Sequence, residues 1–130
     1  MFKKLEEVQP RVLIVDDEPR IAEFIGEYLT EKGYEAFVAD NGQDALNYVK
    51  RARPHIVLLD VRMASMSGIE VLKHIKEIDA NIGIIMITAL QEEELGRRAL
   101  KLGASDFITK PVDFQYLDET LLFKLSAMLE

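Results

Sequence analysis

The chain has 130 residues, 48% hydrophobic and 30% charged, which fits one compact domain with a substantial core. Its net charge of −7 disfavours direct nucleic-acid binding, which usually needs a basic patch, and the lack of cysteine excludes disulfides and thiolate metal sites. No run is apolar enough over the length that a signal peptide or membrane span needs, so we expect a cytoplasmic protein without membrane contact.

Five short apolar runs, rich in β-branched residues, predict strands at residues 12–15, 36–39, 56–59, 84–87 and 107–109. Between them, apolar residues recur three to four apart, which predicts amphipathic helices. Pro19 suits a first helical turn, and Gly33 and Gly103 suit helix C-termini. Asn41-Gly42 suits the turn before a helix at 43–53, and the last helix is predicted at Phe114–Leu129.

The alternation of strand and helix predicts an α/β fold: a parallel sheet with right-handed crossovers and helices on both faces. We expect residues 10–130 to form this single domain and residues 1–9 to be an N-terminal extension.

Three aspartates stand at the ends of two predicted strands. Asp16 and Asp17 close RVLIVDD, and Asp60 closes HIVLLD. If the strands are parallel neighbours, the carboxylates meet at the edge of the sheet where open α/β folds bind ligands. Such a cluster is costly unless a cation offsets its charge, and Mg2+ is the natural occupant.

Two further strands end in Thr88 and Lys110, which the same topology would place beside the acids. Taken singly, these are a turn residue and a surface lysine. Together, acids, a hydroxyl and a cation suit phosphoryl transfer, with a carboxylate attacking phosphorus. Asp60 stands apart from the acidic pair and is the better nucleophile, and the carbonyl of Arg62 is a candidate oxygen ligand.

With these residues in order, the chain resembles the receiver domain of bacterial response regulators over about residues 10–130. The matching residues are Asp16-Asp17, Asp60, Gly68, Thr88-Ala89 and Lys110-Pro111. The resemblance implies a flavodoxin-like (βα)5 doubly wound sheet of order 2-1-3-4-5.

The resemblance also implies a chemistry. Asp60 would accept a phosphoryl group from a histidine kinase or phosphotransfer protein, with Mg2+ bound by Asp17, Asp60 and the Arg62 carbonyl. Asp16 would assist the metal through water. In similar proteins, the residues two past the acceptor and two past the switch threonine, here Arg62 and Leu90, influence how long the phosphoryl group survives.

The same resemblance implies a switch. The Thr88 hydroxyl would turn toward the phosphoryl group, and Phe107 would rotate into the space it leaves. The surface that repacks would be the fourth helix, fifth strand and fifth helix, roughly residues 92–129. Its mixed charges suit a homodimer contact, although they also suit an ordinary solvated helix face. Relatives further imply a cis bond between Lys110 and Pro111.

Other interpretations remain open at this point. A phosphatase with an aspartate nucleophile would use similar groups but typically needs an acid two residues past the nucleophile, where Arg62 stands. A flavin-binding module would share the fold, but its phosphate would meet an acidic pocket. A degenerate receiver could act as a phosphorylation-independent docking module, although none of the expected site residues is missing. One departure from many receivers is Ala64, where proline is common.

Overall fold

The structure is a computed structural model that describes residues 9–129. Five parallel strands alternate with five helices, and a single 3-10 turn precedes the fourth helix. The strands are β1 (Arg11–Val15), β2 (Glu35–Ala39), β3 (Ile56–Asp60), β4 (Gly83–Thr88) and β5 (Asp106–Thr109). The helices are α1 (Pro19–Glu31), α2 (Gly42–Ala52), α3 (Gly68–Ile78), α4 (Glu93–Lys101) and α5 (Phe114–Leu129), and the 3-10 turn is Leu90–Glu92.

The strand order is β2-β1-β3-β4-β5, as the resemblance implied, and all neighbours are parallel. The register aligns the carboxyl ends: Val15 pairs with Leu59, and Asp60 pairs with Ile87. The groups that follow these strands therefore lie along one edge of the sheet.

Alternating side chains of the strands point into two separate cores, as a doubly wound sheet requires. One core packs α2, α3 and α4 against the sheet, through residues such as Leu59, Met86 and Leu72. The other packs α1 and α5 against the opposite face, through residues such as Leu58 and Leu121. The prediction of helices on both faces is confirmed.

The two glycines predicted at helix C-termini are confirmed, and the predicted start of α2 differs by one residue. Gly33 and Gly103 follow α1 and α4 with φ of 98° and 112°, a conformation that side chains with a Cβ rarely adopt. The side chain of Asn41 accepts the Asp44 amide at 2.8 Å, so α2 begins at Gly42, one residue before its predicted start. The Lys110–Pro111 bond is cis.

The predicted N-terminal extension falls almost wholly outside the described part of the chain, which begins at residue 9. Within residues 9–129, none of the helices combines the length and the apolar character that crossing a bilayer would need.

Candidate functional site

The ends of four strands bring the predicted site residues to one place. Asp60 is the last residue of β3, Asp16 and Asp17 follow β1, Thr88 ends β4, and Lys110 follows β5. One carboxylate oxygen from each of the three aspartates lies within 4.8 Å of the other two. The convergence that the strand ends predicted is therefore present in the structure.

Two of these carboxylates are almost out of contact with solvent. Asp16 is 3% exposed and Asp60 is 5% exposed, whereas Asp17 is exposed. Burial, together with the nearby charge of Asp60, raises the pKa of Asp16 to about 6, against the opposing effects of the Glu18 backbone N–H and the charge of Lys110. Negative charge at this position is thus only partly offset by the protein.

Lys110 is the cation of the site. Its Nζ lies 3.1 Å from Oδ2 of Asp60, 3.9 Å from Oδ2 of Asp16 and 3.8 Å from Oε1 of Glu18. Burial lowers the pKa of Lys110, but the attraction of Asp60 and the other two carboxylates outweighs it, so the net shift is upward. The ammonium group therefore stays charged beside Asp60.

The donor set fits a hard divalent cation. Three aspartates supply oxygens only, and within residues 9–129 one ammonium group, that of Lys110, lies against them. Oxygen-rich carboxylate clusters of this kind are the usual ligands of Mg2+. Asp16, Asp17 and Asp60 are the side chains that would hold it. Arg62 lies at the same place, and its carbonyl as a further ligand stays a prediction.

The loop after β3 supplies backbone donors that orient the acids. The N–H of Arg62 donates to Oδ1 of Asp60 at 3.2 Å, and the N–H of Ala64 donates to Oδ2 of Asp17 at 3.0 Å. A proline at position 64 could not make the second bond, because proline has no N–H.

Gly68 lets this loop fold back onto the strand. Its N–H donates to the carbonyl of Val61 at 2.8 Å, and a Cβ added to it would lie 2.1 Å from the carbonyl oxygen of Asp60. The space for a side chain at this position is occupied by the backbone of the strand end. The glycine eight residues after Asp60 is thus required by close approach.

The Thr88 hydroxyl points into the turn that follows β4. Thr88 is fully buried, and its Oγ1 lies 3.0 Å from the carbonyl oxygen of Glu92 and 3.1 Å from that of Ala89. Both acceptors belong to the turn, so the hydroxyl proton is engaged there. Phe107 is half-buried, and a Cβ added to Gly96 of α4 would lie 3.0 Å from its ring. The ring therefore packs directly against the helix backbone.

Sequence reasoning missed a side-chain contact at the rim of the site. Glu92 forms an ion pair with Arg62 and joins the turn after β4 to the loop after β3. The Arg62 side chain is 72% exposed, whereas the Glu92 side chain is only 10% exposed. The two residues are 30 positions apart, so no local spacing could have indicated the pair.

An apolar cleft beside the acids was also missed. It encloses about 680 Å³ between α1 and the loops after β4 and β5, and Lys110 lies in its wall. Phe24 and Leu90 also line it, 62% and 69% exposed. Phe24 stacks on Phe114 at 5.6 Å between ring centroids, and Phe114 stacks on Tyr28 at 4.7 Å.

Comparison with known proteins gives concordant matches. The family model described as response regulator receiver domain matches residues 12–122. Sporulation initiation phosphotransferase F of Bacillus subtilis is 39% identical over 111 residues, which are 85% of this chain and 90% of that protein. Transcriptional regulatory protein ZraR of Salmonella typhimurium is 42% identical over 110 residues, 85% of this chain but only 25% of that protein.

Among solved structures, a CheY-like response regulator receiver domain protein from Methanospirillum hungatei superposes with a TM-score of 0.88. The two chains are 28% identical, and the match covers 93% of this chain and 97% of the other.

Proposed function

The chain belongs to the response regulator receiver domain family, and on that premise we propose that it is a phosphorylation-driven switch whose acceptor is Asp60. The observation that carries the proposal is the convergence of Asp16, Asp17 and Asp60, with the Lys110 ammonium 3.1 Å from the acceptor carboxylate. The phosphoryl donor would be a histidine kinase or a phosphotransfer protein. We further propose that residues 10–130 are the functional unit.

The proposed reaction moves a phosphoryl group from a histidine nitrogen of the donor to a carboxylate oxygen of Asp60. An Asp60 carboxylate oxygen attacks phosphorus, the P–N bond to the donor histidine breaks, and its electron pair stays on the imidazole nitrogen. The ammonium group of Lys110, which already lies beside Asp60, stabilises the negative charge on the phosphoryl oxygens. A bound Mg2+ would supply a second positive charge to those oxygens. Water attack on phosphorus later breaks the new P–O bond and regenerates the carboxylate.

The remaining site residues have roles in the same scheme. Asp17 and Asp60 would hold the metal with the Arg62 carbonyl, and Asp16 would act on it through water. The Ala89 backbone N–H would donate to a phosphoryl oxygen, together with the Thr88 hydroxyl once this leaves the turn. Phe107 would then move relative to Gly96, which changes the surface formed by α4, β5 and α5.

We propose the apolar cleft as the place where the phosphoryl donor docks. It borders Lys110, so a protein segment seated there would bring a phosphohistidine to the acids. Exposed Phe24 and Leu90 offer the apolar contact that a stable encounter needs.

The α4-β5-α5 surface is proposed as a self-association surface for the phosphorylated form. Tyr116 and Phe123 are exposed and lie seven residues apart on one face of α5, and α4 carries charges of both signs. Sedimentation of the protein with and without beryllofluoride tests this. A monomer under both conditions contradicts it.

The acceptor is tested with acetyl phosphate, with and without Mg2+, followed by intact-mass and peptide mass spectrometry. We expect one added phosphoryl group at Asp60, only with Mg2+, and none in Asp60→Asn. The matched control is Asp40→Asn, since Asp40 is an exposed aspartate directly after β2 that lies outside the cluster. Uptake that persists in Asp60→Asn refutes the assignment. Steady turnover of a phosphate ester would indicate a phosphatase, and no uptake would indicate a docking module.

Docking is tested separately from chemistry. Phe24→Ser should slow transfer from a phosphorylated histidine phosphotransfer domain far more than it slows uptake from acetyl phosphate. Phe123→Ser is the matched control, because this aromatic is exposed on α5 outside the cleft. Equal effects of the two substitutions on protein-to-protein transfer would contradict docking at the cleft.

A further inference from the structure

A series of contacts connects the acceptor Asp60 to Thr88 through Arg62 and Glu92. We propose that Arg62 and Glu92 are positioning residues that hold the Thr88 hydroxyl away from Asp60, and so set how readily Asp60 takes up a phosphoryl group. This inference rests on the proposed function, because it concerns the same acceptor.

The first link is the side chain of Glu92. Glu92 is the last residue of the 3-10 turn and the N-cap residue of α4, and its side chain makes no capping bond to the helix. Its carboxylate is instead largely buried against the guanidinium of Arg62. The ion pair therefore fixes the turn to the loop after β3.

The second link is the backbone of the same residue. The Glu92 carbonyl accepts from the Thr88 hydroxyl at 3.0 Å, and its N–H donates to the Ala89 carbonyl at 2.9 Å, which closes the turn. A threonine hydroxyl has one proton to donate. While the turn holds this proton, it is not available to a phosphoryl oxygen on the neighbouring strand.

The third link returns to the acceptor. Arg62 donates its backbone N–H to Asp60 and its side chain to Glu92, so one residue contacts both the acceptor and the turn. A phosphoryl group on Asp60 adds negative charge close to this mostly exposed arginine. The added charge competes with Glu92 for the guanidinium, which loosens the turn as the Thr88 hydroxyl is drawn toward the phosphoryl oxygens.

The size of the effect follows from the exposure of the pair. Ion pairs with a solvated partner shift an equilibrium by no more than about fivefold. We therefore expect Arg62→Gln and Glu92→Gln each to raise the rate of phosphorylation by acetyl phosphate by about twofold to fivefold at fixed Mg2+. Because both remove the same contact, the double variant should match either single one.

The experiment is a double-mutant cycle of Arg62→Gln and Glu92→Gln, measured in the wild-type protein and in Thr88→Val. In Thr88→Val, which lacks the hydroxyl, neither substitution should change the rate further. The charge-exchanged protein, Arg62→Glu with Glu92→Arg, should return toward the wild-type rate. Arg97→Gln is the control, since Arg97 pairs with Glu93 and Glu94 on α4 and does not contact Thr88.

A second readout needs no phosphoryl group. NMR scalar couplings report the Thr88 side-chain rotamer in unphosphorylated protein, and we expect one rotamer in the wild type and a mixture in Glu92→Gln. An unchanged rotamer, additive rate effects or effects that persist in Thr88→Val would each overturn the inference. If the wild type takes up no phosphoryl group, the proposed function fails, while the rotamer measurement still decides whether the pair holds Thr88.

Discussion

Replacement of Gly68 by alanine probes the most crowded point of the site. The added Cβ would lie 2.1 Å from the carbonyl oxygen of Asp60 and 2.9 Å from Cα of Val61, and both neighbours are backbone atoms that cannot rotate away. The shorter distance is about 1 Å below the closest contacts that Cβ atoms make. Central strand β3 is paired on both sides, so the loop after it must move.

Overpacking of this kind costs about 1–3 kcal/mol, and the bond from the Gly68 N–H to Val61 would be strained as well. We expect the free energy of unfolding of Gly68→Ala to fall by about 2–3 kcal/mol, or roughly 6–15 °C in Tm for a chain of this size. The moving loop carries the N–H groups of Arg62 and Ala64 that orient the acids. Phosphorylation by acetyl phosphate should therefore slow by about tenfold or more.

Gly26→Ala is the matched control for urea unfolding followed by circular dichroism. Gly26 lies within α1, and its added Cβ would meet Ile14 of β1 and Val38 of β2 at 3.6 and 3.8 Å, which are ordinary contacts. This substitution should stabilise the protein by about 0.5–1 kcal/mol, because alanine is the better helix former. If Gly68→Ala unfolds at the same urea concentration as the wild type, the close approach of Gly68 to Asp60 is wrong.

Three further predictions concern single contacts. Ala64→Pro removes the N–H bonded to Asp17 and should weaken Mg2+ binding roughly fivefold by calorimetry, and unchanged affinity would contradict a role in orienting the carboxylate. Leu90→Ala should speed hydrolysis of the phosphorylated protein by opening the approach of water, while stability changes by no more than about 0.5 kcal/mol because the side chain is exposed; an equal or slower rate refutes this. Nδ1 of His55 accepts a backbone N–H from β1, and burial lowers the pKa of His55. The stability that the neutral imidazole contributes is therefore complete above the unfolded-state pKa, and it is lost as pH falls through the folded-state pKa. Urea unfolding at pH 7 and pH 5 should show a smaller loss for His55→Gln than for the wild type, whereas exposed His74→Gln should match the wild type.

The fold was predictable because its signals are local and repeated. Strands buried on both faces appear as continuous apolar runs, and β1, β3 and β4 are of this kind. The strand bounds were wrong by one residue where polar side chains begin or end a strand, as at Arg11, Glu35 and Asp106. Strand pairing uses backbone groups, so a charged residue at a strand end can continue the ladder without any apolar signal.

The convergence of the acids and Lys110 was predictable for the same reason, because strand order and direction place the strand ends together. Contacts between loops were not. The Arg62–Glu92 pair depends on how two loops fold against each other. Phe24 has the spacing of a core residue on α1, yet it is 62% exposed and stacks on Phe114 of α5. The chemical roles of the site residues stay predictions.

The stacking of Phe114 on Phe24 and Tyr28 has a mechanical consequence. Phe114 opens α5 and ends the short segment that starts at Lys110, so this segment is clamped at its far end by side chains of α1. A protein that grips Phe24 would steady the ammonium group at the same moment. Recognition of the donor and readiness for the reaction would then improve together, through three stacked rings.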